Sequence, residues 1–141
     1  MIRIITFGKV KDNNLGSLQQ DYLKRASHLA KIELIELKNQ DVEIKIRTYA
    51  KDHGEEKIIL LSEEGKPQTS EEFAKTISSH DEEHITFILG PAEGFNQKLK
   101  QEFSLFSLTP LTMMHDLAQV VFLEQIYRAL SINKGLPYHK P

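Results

Sequence analysis

Residues Ile2 to Phe7 form an apolar, β-branched run that Gly8 ends, and this pattern predicts a buried strand. Leu15, Leu18, Tyr22, Ala26 and Leu29 then recur at three- and four-residue spacing, the mark of an amphipathic helix. Ile32 to Leu37 suits a second strand. The polar stretch carrying Val42, Ile44, Ile46 and Tyr49 predicts a short helix ending near Gly54, although its apolar spacing is partly strand-like. Ile58 to Leu61 is continuously apolar, as expected of a strand covered on both faces, and Glu63-Glu64-Gly65-Lys66-Pro67 reads as a turn. Thr69-Ser70-Glu71-Glu72 offers a hydroxyl cap and an acidic first turn to a helix whose Phe73 and Ile77 face the core. Ile85 to Leu89 is the next strand, followed by Gly90-Pro91-Ala92-Glu93-Gly94 and a short helix from Asn96 to Gln101. Phe103 to Leu108 reads as the last strand. A loop from Thr109 to Met114 leads into a long helix from about His115 to Ile132.

This alternation predicts an α/β fold with a mostly parallel sheet and helices on both faces. No repeat, linker or low-complexity segment interrupts it, so residues 1–141 read as a single domain. The longest apolar runs fall far short of the about 20 residues of a membrane span, and the N-terminus reads as a strand rather than a signal peptide. The absence of cysteine excludes disulfides, thiolate metal sites and cysteine nucleophiles, and fits a cytoplasmic protein. The formal net charge of −2 argues against nucleic-acid binding by bulk charge. An RNA site here would be a local basic patch, or one completed by a second subunit.

Most short motifs dissolve on inspection. His80-Asp81-Glu82-Glu83-His84 lacks the glutamate directly after the first histidine that a helical zinc motif needs, and reads as a solvated connector. Gly65-Lys66 has neither the upstream glycine nor the hydroxyl residue of a phosphate-binding loop. The glycines of the 90–94 loop are wrongly spaced for a dinucleotide fingerprint. That loop nevertheless leaves the carboxyl end of a strand, and it serves equally as a ligand loop or a tight turn.

The last helix leaves only a thin polar stripe of Gln119, Glu124, Gln125, Arg128 and Ser131, which predicts that part of it meets a second subunit, the alternative being a helix wholly internal to one chain. After it, Asn133 to Pro141 carries a glycine, prolines, an aromatic ring and potential cations, unlike a frayed tail. Tyr138 can stack on a base, and Arg128 and Lys140 can neutralise phosphate.

His115, Leu123-Glu124-Gln125-Ile126-Tyr127-Arg128-Ala129 and Pro137-Tyr138-His139-Lys140 resemble the C-terminal signature of the RlmH family of SPOUT methyltransferases. Ile4 to Lys9, Leu61 to Lys66 and Leu89 to Gly94 extend the resemblance over essentially the whole chain. The resemblance implies a C-terminal trefoil knot, a homodimer, and S-adenosylmethionine-dependent methylation of N3 of a pseudouridine in large-subunit (23S) ribosomal RNA. It further implies a cofactor site at Leu61, at Gly90 and Pro91, and along Thr109, Pro110, Leu111, Thr112, Met113 and Met114, with no metal. For catalysis it points to Arg128, Tyr138, His139 and Lys140. Tyr138 would position the base, Arg128 and Lys140 would supply charge and phosphate contacts, and His139 would handle the proton. The chain departs from the family at Pro91, where a second glycine is usual, at Met114 and Asp116 beside the histidine, and at Gln119, where arginine is usual. It is also short between Val42 and Lys57. A non-catalytic ribosome- or RNA-binding relative of the family is the alternative reading; an unrelated nucleotide or flavin binder would leave the C-terminal blocks unexplained.

Overall fold

A computed structural model describes residues 1–54, 56–78 and 83–141. Strands and helices alternate along them: β1 (Ile2–Phe7), α1 (Asn13–Ser27), β2 (Ile32–Leu37), α2 (Val42–Asp52), β3 (Lys57–Pro67), α3 (Ser70–Ser78), β4 (Ile85–Leu89), α4 (Gln97–Glu102), β5 (Ser104–Ser107) and α5 (His115–Asn133). The five strands form one sheet in the order β2-β1-β4-β3-β5, and every pairing is parallel.

The two-residue period of the strands sorts their apolar side chains onto two faces. Ile2 and Ile4, Ile59, and Ile85, Phe87 and Leu89 pack against α1, α3 and α5, where they meet Ala26, Phe73, Ile77, Phe122 and Ile126. Ile5, Phe7, Leu60 and Ile88 point the other way, onto Ile46 of α2, Leu99 of α4 and Phe95. The expected helices on both faces are therefore present. Helix starts follow capping chemistry: the Asp12 carboxylate accepts the Leu15 N–H at 2.9 Å, and the Asn96 carbonyl accepts that of Leu99 at 2.9 Å.

Beneath α2, the guanidinium of Arg3 pairs with Glu56. The other Glu56 oxygen accepts hydrogen bonds at 3.0 Å from the Tyr49 and Thr86 hydroxyls. The Tyr49 ring stacks on His53 with centroids 4.0 Å apart.

One expectation fails. The segment from Glu63 to Pro67 is not a turn but the continuation of β3. β3 pairs with β5 as far as Leu61 opposite Phe106, bulges outward, and returns with Lys66 again opposite Phe106 and Pro67 opposite Ser107. Gly65 is needed for that return. A Cβ there would lie 2.9 Å from the backbone nitrogen and carbonyl carbon of Phe106 and 3.0 Å from the carbonyl carbon of Leu105. Glycine thus permits close strand approach, which in sequence looks the same as glycine in a turn. Gly65→Ala should cost about 2 kcal/mol by overpacking against backbone that has nowhere to go. Urea unfolding checks this, and unchanged stability would count against the strand assignment.

α5 lies between α1 and α3 over the sheet. Gln119, Val120, Phe122, Leu123, Ile126, Ala129, Leu130 and Ser131 are buried there within the one chain. Much of the helix's apolar surface is therefore used internally. What stays open is its N-terminal end, where Leu117 is 38% exposed beside a loop with Leu111 at 75% and Met114 at 59%. His80, Asp81 and Glu82 lie outside the described residues. Among the described residues no three histidine, aspartate or glutamate side chains group as a metal site, and no helix is long and apolar enough to cross a membrane.

Candidate active site

Parallel strands all point their carboxyl ends to one edge of the sheet, so the loops that follow them gather there. Leu61 to Glu63 leave β3 at its bulge, Leu89 to Phe95 follow β4, and Leu108 to Met113 follow β5. With His115, Ala118 and Gln119 from the first turns of α5, they enclose a cavity of about 220 Å³. Leu61, Gly90, Pro91, Thr109, Leu111, Thr112 and Met113, the residues that the resemblance assigns to a cofactor, line it. Pro110 and Met114 do not line it; both are exposed.

Sequence reasoning missed Ser62, Glu63, Phe95 and Lys100, which also line the cavity, and named no side chain of α5 for it, where His115 and Gln119 form the wall. His115 and Gln119 stand one helical turn apart, and that spacing was the signal available for placing both on one wall. Phe95 packs its ring against Gly90, where a Cβ would sit only 3.0 Å from the ring. Any side chain at Gly90 would push Phe95 or close the cavity. Gly94, at φ +78°, turns the loop, and its N–H donates to the Pro91 carbonyl at 2.8 Å.

The start of α5 is tied to the loop after β1 by polar groups that are far apart in sequence. One Asp116 carboxylate oxygen accepts the backbone N–H groups of Lys11 at 2.9 Å and Asp12 at 3.2 Å. The other lies 3.2 Å from Nδ1 of His115, whose Nε2 is 2.9 Å from the Phe7 carbonyl. The Gln119 amide donates to the Gly8 carbonyl at 3.1 Å and accepts from the Gln19 amide at 3.0 Å, so a buried pair of amides joins α5 to α1 and to the loop after β1. Burial pushes the Asp116 carboxyl up, but the two backbone donors and His115 outweigh it and hold the group below the usual carboxylate range. A rigid α5 wall results.

The tail folds back onto α5. Leu136 N–H donates to the Ser131 carbonyl at 2.9 Å, and the Tyr138 hydroxyl donates to Glu124 at 3.0 Å. Tyr138 meets Tyr127 edge-on with centroids 4.6 Å apart, and the Arg128 guanidinium sits 4.8 Å from its ring centre. Arg128 Nε donates to Glu124 at 3.0 Å and Nη1 lies 3.0 Å from His139 Nδ1. His139 Nε2 lies 2.9 Å from the Glu71 carboxylate. A hydrogen on Nε2 satisfies both contacts, with Nδ1 accepting from the arginine. Burial, then the neighbouring Tyr22 and Glu124 groups, raise the Tyr138 phenol far above its ordinary value, so it is a donor and a stacking surface rather than a base. Lys140 is exposed. The structure brings Arg128, Tyr138 and His139 together, but neither they nor Lys140 line the cavity of their own chain.

The sheet is an open parallel α/β sheet, and its loop-built cavity lies beyond the carboxyl ends of the strands, where domains of this class bind their ligands. A family model described as predicted SPOUT methyltransferase matches residues 1–139, and the chain belongs to that family. It is 37% identical to a protein of Latilactobacillus sakei subsp. sakei (strain 23K) named ribosomal RNA large subunit methyltransferase H, over 157 aligned positions covering 99% of each chain. A protein of the same name from Bacillus cytotoxicus is 35% identical, again over 99% of each chain. Since 157 positions exceed the 141 residues of this chain, at least 16 positions have no counterpart here. In fold, the chain is similar to the structure of a probable methylase family protein from Haemophilus influenzae Rd KW20, with a TM-score of 0.61 at 12% identity, covering 99% of this chain and 70% of the other.

Proposed function

We propose that this protein transfers a methyl group from S-adenosylmethionine to N3 of a pseudouridine in large-subunit (23S) ribosomal RNA. The observation that carries the reading is near full-length identity of 37% to a protein named ribosomal RNA large subunit methyltransferase H. Residues 1–141 are taken as one domain, knotted in its C-terminal part, working in the cytoplasm as a homodimer.

The cavity fits the cofactor's chemistry. Leu61, Leu89, Leu108, Leu111 and Met113 offer apolar surface for an adenine ring, and the three loops offer backbone donors and acceptors for its edges. When bound, the cofactor supplies an electrophilic methyl group on a sulfonium. The residues of this chain would hold the base in line with that methyl and assist loss of the N3 proton. Tyr138, a persistent donor, suits positioning of the base. Arg128 suits stabilisation of negative charge developing on the imide, and His139 proton handling.

The geometry favours assembly of this site from two chains. The Tyr138 hydroxyl is held at Glu124, five residues beyond Gln119 and so about 7 Å further along the helix axis from the cavity wall. Docked there, the tail does not join its own cavity. Exposed Leu111, Met114 and Leu117 surround the cavity end of α5 and suit contact with a partner.

Two experiments test this. Ribosomes lacking the modification, incubated with the protein and labelled S-adenosylmethionine, should gain one methyl group per large subunit; no transfer with intact cofactor binding would leave the non-catalytic relative. Co-expression of a Tyr138→Ala chain with a Gly90→Leu chain should restore about a quarter of wild-type activity if each tail serves its partner's cavity. Each variant alone should be inactive. An inactive mixture would refute sharing of the site between subunits.

A further inference from the structure

We propose that Glu63 and Glu93 make the cavity distinguish the sulfonium cofactor from the neutral thioether left after methyl transfer. This rests on the cavity being the S-adenosylmethionine site. Three side chains with full charge line it: Glu63, Glu93 and Lys100. The Lys100 ammonium is 2.7 Å from the carboxylate of Glu64, so its charge is already balanced by a residue outside the lining. Glu63 has no hydrogen-bond or ion-pair partner among the described residues. Glu93 receives only the neutral Asn39 amide, at 3.3 and 3.5 Å. His115, the remaining titratable group on the wall, faces the Asp116 carboxylate. The cavity lining therefore carries two carboxylates that no cation among the described residues pairs with.

S-adenosylmethionine has a sulfonium, an ammonium and a carboxylate, for a net charge of about +1; loss of the methyl leaves a neutral sulfur and a net charge near zero. Two uncompensated carboxylates attract the first more than the second. Both residues are exposed, so water and salt screen the effect, and each carboxylate is worth roughly threefold to tenfold in affinity. The consequence is a site that weakens its hold on the product in the same step that makes it.

Calorimetry on the full chain tests this with three probes: S-adenosylmethionine, S-adenosylhomocysteine, and sinefungin, in which an amine-bearing carbon replaces the sulfonium. The double variant Glu63→Gln, Glu93→Gln should bind S-adenosylmethionine and sinefungin about tenfold more weakly or worse, and S-adenosylhomocysteine within about twofold of wild type. Raised salt should weaken the two cations selectively in the wild type and no longer do so in the variant. Equal changes for all three probes, or none, would overturn the charge discrimination while leaving the cofactor site in place. Failure of the wild type to bind any of the three would overturn the cofactor site itself, and the discrimination with it. The exposure of both glutamates makes the variants foldable, and a thermal melt verifies it.

Discussion

An Arg3→Met chain is expected to be about 3 to 5 kcal/mol less stable than the wild type near neutral pH, because it strands a carboxylate that the fold has largely removed from water. The Arg3 and Glu56 side chains are only 18% and 10% exposed. Burial pushes the Glu56 carboxyl up, but hydrogen bonds from Arg3, Tyr49 and Thr86 outweigh that and hold it below its ordinary value of 4.5. A depressed folded-state value means that the stabilisation is complete above the unfolded value and is lost as pH falls through the folded one. In the variant the opposite holds, since without Arg3 the buried carboxyl gains by taking up a proton. The stability gap between the two chains should therefore narrow below about pH 4.5. Urea unfolding across that range is the measurement. A gap under about 1 kcal/mol at neutral pH, the worth of a surface pair, or a gap that widens in acid, would refute the account.

Phe122→Ala should cost a similar 3 to 5 kcal/mol. The side chain is fully buried where α5 meets the sheet, with its ring edge-on to Phe87 at 5.1 Å and to Phe73 at 6.1 Å. Phe73 in turn stacks on Phe106 at 4.8 Å, so the residue is part of a ring cluster joining α3, α5, β4 and β5. Deleting it opens a cavity between rigid elements that cannot collapse into it. Phe122→Leu should recover more than half of the loss. If alanine and leucine prove equally costly, then lost ring geometry rather than lost volume sets the cost, contrary to this reasoning.

The fold was legible where a local rule governs it. Strands β1 and β4 announce themselves by β-branched apolar runs and α3 by the spacing of the residues it buries, whereas β2 is broken by two glutamates and α1 buries Ala26 and Gln19 while Leu18 of its expected apolar face stays 44% exposed. The second half of β3 was not legible, because the charges, glycine and proline of residues 63–67 meet turn statistics while the cause lies in the backbone of Phe106, forty residues on. The breadth of apolar surface on α5 was legible, but not its destination, since two flanking helices and a sheet absorb most of it inside one chain. The candidate site divides likewise. The three loops followed from their resemblance to a known pattern, whereas Gln19 with Gln119 and Asp116 with Lys11 and Asp12 lie a hundred residues apart and carry no local signal. The acidic partners of the tail, Glu124 and Glu71, were missed because a basic or aromatic tail reads as a free hand for RNA, not as one already held.

The order of the sheet sets a timetable for the molecule's birth. β1, which precedes the other four strands in the chain, sits in the sheet between β2 and β4, with Ile2 opposite both Ile32 and Ile85. A chain emerging N-terminus first must keep one side of β1 unpaired until β4 has been synthesised, after β2, β3 and three helices. Non-local parallel pairing of this kind is slow and leaves apolar strand edges open to misassociation while it waits. The cavity is completed later still in chain order, because His115, Ala118 and Gln119 of its wall arrive with α5. Until α5 has been made, the cavity lacks one wall and a face of the sheet lacks its cover, so termination anywhere before α5 yields a fragment with an uncovered core.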